Sequence, residues 1–516
     1  MVVKGYASAL MGVNAQKVIV EASATNTPEF ATFIIGLPDT SVKESLFRCD
    51  SAIKHSGFEG LRQKVVINLA PADLKKEGSS YDLPIAISML AASFQIKNER
   101  LSEFVIMGEL GLDGSVLPIK GALPIAIQAM KDKFKGFILP KENAREAAIV
   151  KDLEVYGVKN LAEAAAFLDG KLSLERVIVD PRSDYEAYSN DYDVDFSDVQ
   201  GQESIKRAME IAAAGGHNII LYGPPGAGKT MLARRMPTIL PPMTLHEALE
   251  TTKIHSVSGK LGNNATLMAK RPFRAPHHTA SSIALVGGGT PPQPGEISLA
   301  HHGVLFLDEL PEFQRTVLEV LRQPLEERKV HISRSKWNVE YPASFMFVAS
   351  MNPCPCGYYN HPTKNCTCAP GSVARYMGKI SGPLLDRIDI HAEVMPVSDD
   401  QLFEARSKQE SSENIRERVI KAREMQVHRF QNVEGVYSNS MIPSNRVHEF
   451  CKIPPAGQLL LKSAMNKLNL SARAYDKIMK LSRTIADLSG AEEISIEHVA
   501  EAIHLRGLDR GGMFGN

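Results

Sequence analysis

The sequence predicts an α/β protein, with a first domain of α/β or α+β type, a second α/β domain and a helical C-terminal domain. Short apolar, β-like runs such as KVIVEAS and GVLFLDE alternate with longer helix-like segments up to about residue 395. Beyond residue 400 the pattern is helical only, as in ARAYDKIMKLSRTIADLSG. At 516 residues the chain is too long for one core, and ordinary domain sizes suggest about three domains.

The domain boundaries are predicted from shifts in composition. Residues 1–172 form the first α/β domain, and residues 173–198 form an acidic linker. The stretch DPRSDYEAYSNDYDVDFSDV has seven acidic residues against the single Arg182, which is too little apolar surface to order a chain by itself. Residues 199–395 form the second α/β domain, and residues 396–516 form the helical domain.

Composition and charge exclude several classes of protein. No apolar run approaches the roughly 20 residues needed to cross a bilayer. The start, MVVKGYASALMGVNAQKVIVEA, lacks the basic region and long apolar stretch of a signal peptide, which predicts a cytoplasmic protein with no membrane partner. The 59 basic and 59 acidic residues cancel, so any nucleic-acid site must be local.

The segment NIILYGPPGAGKT predicts a phosphate-binding loop. An apolar strand is followed by G-x-x-x-x-G-K-T and then by the helix-like MLARRM. Small residues let backbone N–H groups surround phosphates at a helix N-terminus, while a lysine reaches the β- and γ-phosphates and a threonine hydroxyl ligates Mg²⁺. We therefore predict ATP and Mg²⁺ as cofactors, bound by Gly223, Pro224, Pro225, Gly226, Ala227, Gly228, Lys229, Thr230 and Met231.

The segment HGVLFLDEL predicts the partner of this loop. Four apolar residues of a buried strand are followed by Asp308 and Glu309. At the end of such a strand the Asp308 carboxylate would hold the Mg²⁺ shell together with Thr230, and Glu309 would polarise the attacking water.

Residues 199–395 resemble an AAA+ ATPase of the magnesium-chelatase type. DVQGQ is similar to the family's adenine-side segment, FVASMNP places Asn352 at sensor 1, and GPLLDRIDI places Arg387 at the arginine finger. In the helical lid, NLSARAYDKIMKLSRTIADL places Arg473 at sensor 2. An arginine finger completes the site of a neighbouring subunit, so the resemblance implies a ring, which in this family is a hexamer.

Two further segments are similar to pore elements of that family. RPFRAPHHTASSIALVGGGTPPQPGEISLAHHG resembles the helix-2 insert, and its paired histidines are interpreted as pore-loop or packing residues rather than metal ligands. VHISRSKWNVEYPASF predicts a strand–turn–strand with Arg334, Lys336 and Trp337 near its tip. Cations beside an aromatic ring suit a phosphate backbone and a stacked base, although the tryptophan could instead pack against its own domain.

The first domain resembles the proteolytic domain of Lon, which has the fold of ribosomal S5 domain 2. KEGSSYDLPIAISMLAA places Ser80 at the catalytic serine, but GELGLDGSVLPIKGALPIAIQAM places Leu123 where the family has its lysine base. Lys120 is nearby but one helical turn away. A serine without a base is a poor nucleophile, so we expect a scaffold or a DNA-facing collar rather than a protease.

Four of the six cysteines lie close together as Cys354-x-Cys356 and Cys366-x-Cys368. Two close pairs joined by a short polar loop suit a tetrahedral thiolate site, for which Zn²⁺ is the usual metal, and free thiols are the alternative. Because the cluster lies between Asn352 and Arg387, we expect a structural clip at the subunit interface.

A Lon-like domain ahead of a chelatase-type AAA+ module and a lid resembles the ComM/YifB-type competence ATPases. The resemblance implies a DNA helicase that drives branch migration during recombination in natural transformation, with single-stranded or branched DNA, other copies of the chain and recombination proteins as partners. Three alternatives stay open: a metal-insertion chaperone, a Lon-like ATP-dependent protease, and a nucleotide-switched binding module without turnover.

Overall fold

The structure is a computed structural model of the chain. It describes residues 2–27, 31–182, 185, 192–261, 266–334, 337–361, 363–396, 409–468 and 470–509. Within these residues, no helix combines the length and the apolarity that crossing a bilayer requires.

The N-terminal domain is a seven-stranded mixed sheet with helices packed against it. Its strand order is β3-β4-β2-β1-β5-β8-β9, with antiparallel pairing of β1 with β2 and of β2 with β4 and parallel pairing elsewhere. The seven strands of the sheet are β1 (Val2–Met11), β2 (Asn14–Thr25), β3 (Thr32–Ile35), β4 (Lys64–Ala70), β5 (Phe104–Ile106), β8 (Gly136–Pro140) and β9 (Glu154–Val158), and β6 (Glu109–Leu110) and β7 (Val116–Leu117) form a separate antiparallel pair. The helices are α1 (Thr40–His55), α2 (Asp82–Ala92), α3 (Ala122–Lys131), α4 (Lys141–Ala147) and α5 (Leu161–Leu168).

Helix α2 is buried on every side, which explains its almost uninterrupted apolar sequence. Its first residue, Asp82, is fully buried and is held by Arg48 of α1, whose Nε lies 2.6 Å from one carboxylate oxygen. The Ser45 hydroxyl and the Leu110 N–H also donate to this carboxylate. The ion pair therefore fixes α1 to the start of α2.

The second domain is built on a five-stranded parallel sheet of order β11-β14-β17-β10-β18. Its strands and two hairpins are β10 (Ile219–Tyr222), β11 (Phe273–Arg274), β12 (Gly287–Gly288), β13 (Gln293–Pro294), β14 (Val304–Leu307), β15 (Lys329–Arg334), β16 (Trp337–Pro342), β17 (Met346–Met351) and β18 (Ile390–Glu393). The helices are α6 (Glu203–Gly215), α7 (Lys229–Ile239), α8 (Leu245–Ser258), α9 (Ser282–Val286), α10 (Glu296–Leu299), α11 (Arg315–Glu319), α12 (Arg322–Glu327), α13 (Ser372–Met377) and α14 (Gly382–Leu385).

The three central strands, β10, β14 and β17, are buried along their whole length. Parallel strands covered on both faces read as continuous apolar runs, and this is the pattern that predicted them. The predicted α/β class is confirmed, and the structure adds that the sheet of the second domain is parallel.

The C-terminal helices pack against α6 of this domain. They are α15 (Ser412–Phe430), α16 (Val447–Phe450), α17 (Pro455–Leu468), α18 (Ala472–Leu488) and α19 (Ile496–His504). Gln426 of α15 donates to the Ala214 carbonyl at the end of α6, and Arg423 donates to that of Ala213. Inside the bundle the buried Asp487 carboxylate pairs with Arg429 and Arg483, which joins α15 to α18.

The N-terminal domain docks on α8 of the second domain. The N–H of Gly121, just before α3, donates to the Ser256 carbonyl at 3.1 Å, and the Ser256 hydroxyl donates to the buried Glu146 carboxylate. Burial raises the pKa of Glu146, and the Ser256 hydroxyl, the Leu123 N–H and the Asn143 amide act against this rise by donating to it. These contacts join residues that precede the predicted linker to a residue that follows it. The predicted domain boundaries stay a prediction, and part of the acidic linker lies outside the described residues.

Arg48→Met should destabilise the N-terminal domain by about 3–5 kcal/mol, because it leaves the buried Asp82 carboxylate without its ion-pair partner. Urea unfolding followed by circular dichroism measures this change. Lys54→Met is the matched control on the same helix, since the Lys54–Asp50 pair is exposed and should contribute at most about 1 kcal/mol. Equal losses in the two variants would contradict the importance of the buried pair.

Candidate nucleotide-binding site

The predicted phosphate loop connects β10 to α7. Strand β10 ends at Tyr222 and the helix begins at Lys229, so residues 223–228 form the turn between them. Gly228, at the N-cap, has a φ of 88°, a value that residues with a side chain rarely adopt. Backbone N–H groups at the start of α7 therefore face the carboxyl edge of the parallel sheet, where ligands of such folds bind.

The Lys229 side chain lies across this loop. Its Nζ donates to the carbonyls of Gly223 and Pro224 at 2.8 Å each, and to Oδ1 of Asn352 at 3.1 Å. Burial lowers the pKa of Lys229, and the nearby carboxylates of Asp308 and Glu309 act in the opposite direction. The predicted sensor-1 residue Asn352 is therefore in direct contact with the predicted phosphate-binding lysine.

The predicted magnesium ligands meet at the same edge of the sheet. The Thr230 hydroxyl donates to Oδ2 of Asp308 at 2.7 Å, which brings together one hydroxyl and one carboxylate from two different elements. Oxygen atoms of this kind are what Mg²⁺ prefers, so these residues fit the ion.

Ser350 was missed by the sequence interpretation. Its hydroxyl donates to Oδ1 of Asp308, and its oxygen accepts the Glu309 N–H at 3.2 Å. A serine inside an otherwise apolar, fully buried strand was the signal that could have identified it. It therefore fixes the Asp308 carboxylate and the backbone of Glu309.

Glu309 lies at the mouth of the site with a half-exposed side chain and a φ of 52°. Its Oε2 is 3.8 Å from Nδ1 of His278, which follows β11 at the carboxyl edge of the sheet. The sequence interpretation assigned the histidine pair at 277–278 to pore or packing roles, whereas the structure brings one of its members to the predicted catalytic glutamate.

The second histidine pair packs between the insert and the core. The Nδ1 of His301 accepts the Ser344 N–H at 3.0 Å, so its Nε2 carries the proton and faces Glu250. His302 contacts the same carboxylate at 3.0 Å. Burial lowers the pKa of His301 to about 4. With Nδ1 bonded to the Ser344 N–H and the proton on Nε2, both ring nitrogens of His301 are used in packing contacts in this arrangement.

Arg387 and Arg473 lie away from this loop, at the opposite edge of the sheet. Arg387 precedes β18, and its carbonyl accepts from the side chain of Asn218, the residue before β10. The amino ends of parallel strands share one edge, so Arg387 is placed opposite the edge that carries Lys229. Its guanidinium pairs with Glu326 at 2.6 Å, and the exposed Arg473 lies 3.8 Å from Asp386.

Both arginines line one polar cavity of about 540 Å³ together with Lys477 and Lys480 of the lid. Burial alone would raise the pKa of the neighbouring Asp389, but Lys477, at 2.9 Å, and His217 hold it well below the usual value. This charged cavity faces away from the phosphate loop of its own chain.

The four predicted thiolate ligands converge beside the phosphate loop. Their Sγ atoms, one from each of Cys354, Cys356, Cys366 and Cys368, all lie within 4.8 Å of one another, and none of the four forms a disulfide.

The N-terminal domain contains a cavity of about 670 Å³ beside the residues that resemble the Lon active site. Ser80 and Lys120 both line it, but within the described residues no hydrogen bond joins their side chains. Leu123 is fully buried and its N–H donates to Glu146 at 2.9 Å, in the region that docks on α8. The position of the missing base is thus part of a domain contact.

The predicted strand–turn–strand is present as β15 and β16, paired in antiparallel register from Lys329–Pro342 to Arg334–Trp337. Lys336 lies outside the described residues, and the DNA contacts predicted for Arg334, Lys336 and Trp337 stay predictions. Near the base of the hairpin, the Tyr341 hydroxyl donates to the Pro292 carbonyl at 2.8 Å, which joins it to the β12–β13 insert.

The fold and this loop define a P-loop nucleotide-binding protein. A family model described as magnesium chelatase, subunit ChlI, matches residues 195–402, and further models for subunit ChlI of Mg-chelatase and for its C-terminal part match residues 20–143 and 409–506. The chain belongs to the ComM/YifB-type family of magnesium-chelatase-like AAA+ proteins.

Its relatives match over nearly the whole chain. It is 44% identical over 509 residues to the competence protein ComM of Haemophilus influenzae, a match that covers 98% of this chain and 97% of that protein. It is 43% identical over 506 residues to YifB of Escherichia coli, covering 97% and 96%. Lon protease 2 of Bacillus subtilis is 30% identical over 160 residues, which is 28% of this chain and 27% of that protein.

Ser350→Ala should lower the rate of ATP hydrolysis about 10-fold or more with little change in nucleotide affinity. The hydroxyl is bonded to a charged group, and such bonds are worth about 1.5–3 kcal/mol. Steady-state kinetics at varied Mg²⁺ should show a lower kcat and a higher Mg²⁺ requirement. The matched control is Ser88→Ala, which removes a buried hydroxyl from α2 in the other domain. Wild-type kcat and Mg²⁺ dependence in Ser350→Ala would refute the positioning role.

Proposed function

We propose that the chain is an ATP-dependent DNA motor that works as a ring and promotes branch migration in homologous recombination during natural transformation. The observation that carries the proposal is the nearly full-length similarity to a competence protein, combined with a complete set of phosphate-loop and acidic residues at one sheet edge. The proposed cofactors are ATP, Mg²⁺ and a structural Zn²⁺, and the proposed compartment is the cytoplasm.

The proposed reaction is hydrolysis of ATP to ADP and phosphate. The N–H groups of the loop and the ammonium of Lys229 would bind the phosphates, and Mg²⁺, held by Thr230 and Asp308, would neutralise charge on the phosphate oxygens. Glu309 would accept a hydrogen bond from the attacking water and take up its proton. Asn352 accepts from Lys229 through its Oδ1, and the N–H groups of the same side-chain amide would donate to the terminal phosphate.

The proposal of a ring is supported by the distance in the fold between Arg387 and the phosphate loop of the same chain. Glu326 holds Arg387 at the amino edge of the sheet, while the phosphate loop occupies the carboxyl edge. An arginine there can stabilise transition-state charge only at the site of another copy. Arg473 lines the same cavity, so we propose that both arginines complete the neighbour's site in a hexamer, the number that the family resemblance implies.

The proposed partner is single-stranded or branched DNA, with recombination proteins as further partners. The support is local: the sequence from the end of β15 to the start of β16 includes Arg334, Lys336 and Trp337, and the hairpin is bonded to the insert near its base. If the β15–β16 hairpin and the insert both face the centre of the ring, conformational changes at the nucleotide site would be transmitted to DNA through the contact of Tyr341 with Pro292.

The Lon-like protease remains the weaker candidate. A match of 160 residues to Lon protease 2 supports it, but Leu123 in place of a lysine removes the base that would activate Ser80. The contact of this region with α8 favours a scaffold role.

Mixing two inactive variants tests whether Arg387 acts on the neighbouring site. Lys229→Ala should lack nucleotide binding, and Arg387→Ala should hydrolyse ATP at least about 10³-fold more slowly than the wild type. In mixed rings, about one interface in four combines an intact loop with an intact finger, so ATPase activity should return to roughly a quarter of the wild-type rate.

The control is a mixture of Lys229→Ala with Glu309→Gln. Each of these protomers has a defective site of its own, so no interface becomes complete. Restoration in this control, or none in the first mixture, would contradict a finger acting between copies.

A labelled three-strand or Holliday junction tests the motor. The wild type with ATP should displace the labelled strand, and Glu309→Gln should reduce turnover and displacement by about 10²–10⁴-fold while keeping nucleotide affinity. Intact ATPase without displacement would reject the DNA motor. Nucleotide binding with no ATP turnover in the wild type, and therefore no effect of Glu309→Gln on turnover, would instead favour a binding module.

The hairpin tip is tested in the same assay. Arg334→Ala and Lys336→Ala should weaken displacement without lowering the ATPase rate in the absence of DNA, because they would remove phosphate contacts only. Lys329→Ala at the base of the hairpin, where Lys329 is paired with Glu340 at 2.7 Å, is the matched control.

A further inference from the structure

The spacing of the four cysteine sulfurs matches a tetrahedral metal site. The Sγ of Cys354 lies 3.3 Å from that of Cys356 and 3.7 Å from that of Cys366, and the Cys356 and Cys366 sulfurs are 3.5 Å apart. A disulfide bond is only about 2.05 Å long. A tetrahedron with Zn–S bonds of about 2.3 Å has S–S edges of about 3.8 Å, close to these distances.

The local backbone is shaped for thiolate ligands. The Tyr359 N–H donates to Sγ of Cys354 at 3.3 Å, a contact that stabilises negative charge on sulfur. The Gly357 N–H donates to the Cys354 carbonyl at 3.0 Å and closes a tight turn that contains the first cysteine pair. Four sulfur ligands select a borderline-soft metal and disfavour Mg²⁺ and Ca²⁺, which prefer oxygen.

The segment that carries the first two ligands contacts the phosphate loop at three points. The Gly223 N–H donates to the Met351 carbonyl at 3.2 Å, and Lys229 donates to Asn352. At the third point, a Cβ added to Gly357 would lie only 2.5 Å from Cδ of Pro225, so the turn of the cluster packs directly on the loop.

The residues that make these three contacts are held in place by different parts of the structure. Met351 and Asn352 are fixed by strand β17, whereas Gly357 lies in an irregular loop that the sheet does not hold. The position of Gly357 depends on the cysteines around it. Cys354 and Cys356 precede it in the chain, and the Cys366 sulfur contacts the sulfurs of both. A metal bound there would hold Gly357 against Pro225.

We propose that the four thiolates bind one Zn²⁺ and that this ion keeps the phosphate loop in its nucleotide-binding shape, so that zinc occupancy sets the affinity for ATP. The inference rests on the proposed nucleotide site. It differs from a clip between subunits in its target, because Met351, Asn352 and Gly357 contact the phosphate loop of their own chain. Loss of zinc therefore weakens ATP binding to the single chain, and this effect does not depend on ring assembly.

Zinc content and ATP affinity are measured separately on the full chain. Elemental analysis should give about one zinc per chain in the wild type and in Cys451→Ala, and much less in Cys366→Ser/Cys368→Ser. Fluorescence anisotropy of a labelled ATP analogue should show a Kd at least about 10-fold higher after chelation or in the double variant. Added Zn²⁺ should restore the chelated wild type, and added Ca²⁺ should not.

Gly357→Ala separates the contact from the metal. It adds a methyl group against Pro225 and leaves all four thiols, so it should keep its zinc and still bind ATP about 10-fold more weakly. Gly371→Ala is the matched control, because Gly371 has a similar φ, 75° against 83°, but no atom within 4 Å of the added Cβ. Its ATP affinity should stay at the wild-type value, and circular dichroism should show both variants folded.

The possible failures are distinct. A zinc content far below one per chain would overturn the metal site. Full zinc with an ATP affinity that neither chelation nor Gly357→Ala changes would overturn the coupling and leave the proposed function intact. Zinc-loaded wild-type protein that does not bind ATP would overturn the proposed function and the coupling together, while the metal site would stand.

Discussion

The hydrogen bonds of Lys229 are the contacts around which the second domain is organised. One ammonium group joins two carbonyls of the phosphate loop to Asn352 at the end of the neighbouring strand. These partners converge only because β10 and β17 run parallel and end at the same edge. Asp308 follows β14 at this edge, and Thr230 reaches it from the first turn of α7. The site is therefore a consequence of strand order as much as of the loop itself.

The same constraint separates functions across the sheet. Residues that precede strands, such as Arg387, cannot reach the edge at which strands end. A buried charge network around Asp389 holds that opposite edge together and ties it to the lid through Lys477. In the proposed ring, a second copy would bring the two edges together, which would give a role to charged residues that lie far from their own phosphate loop.

In the N-terminal domain, the position that resembles the lysine base of Lon lies in a contact with the second domain. In a serine–lysine hydrolase the lysine must face the serine across an open cleft. Here the corresponding leucine is buried, and the glycine two residues before it is bonded to α8 of the second domain. The cleft around Ser80 remains, and residues 289–293 of the insert form one of its walls. The domain is therefore connected both to the core helix and to the insert that we place in the pore.

The sequence by itself determined the features that depend on neighbours along the chain. The buried strands, the phosphate loop, Asp308 and Glu309, and the two cysteine pairs could all be predicted, because turn geometry and strand burial impose residue types at short spacing. Only the tertiary structure decided where Arg387 and Arg473 lie, that Ser350 and His278 adjoin the acidic pair, and that the cysteine cluster packs on Pro225. These placements depend on strand order and on contacts between residues tens to hundreds of positions apart, which no local pattern encodes.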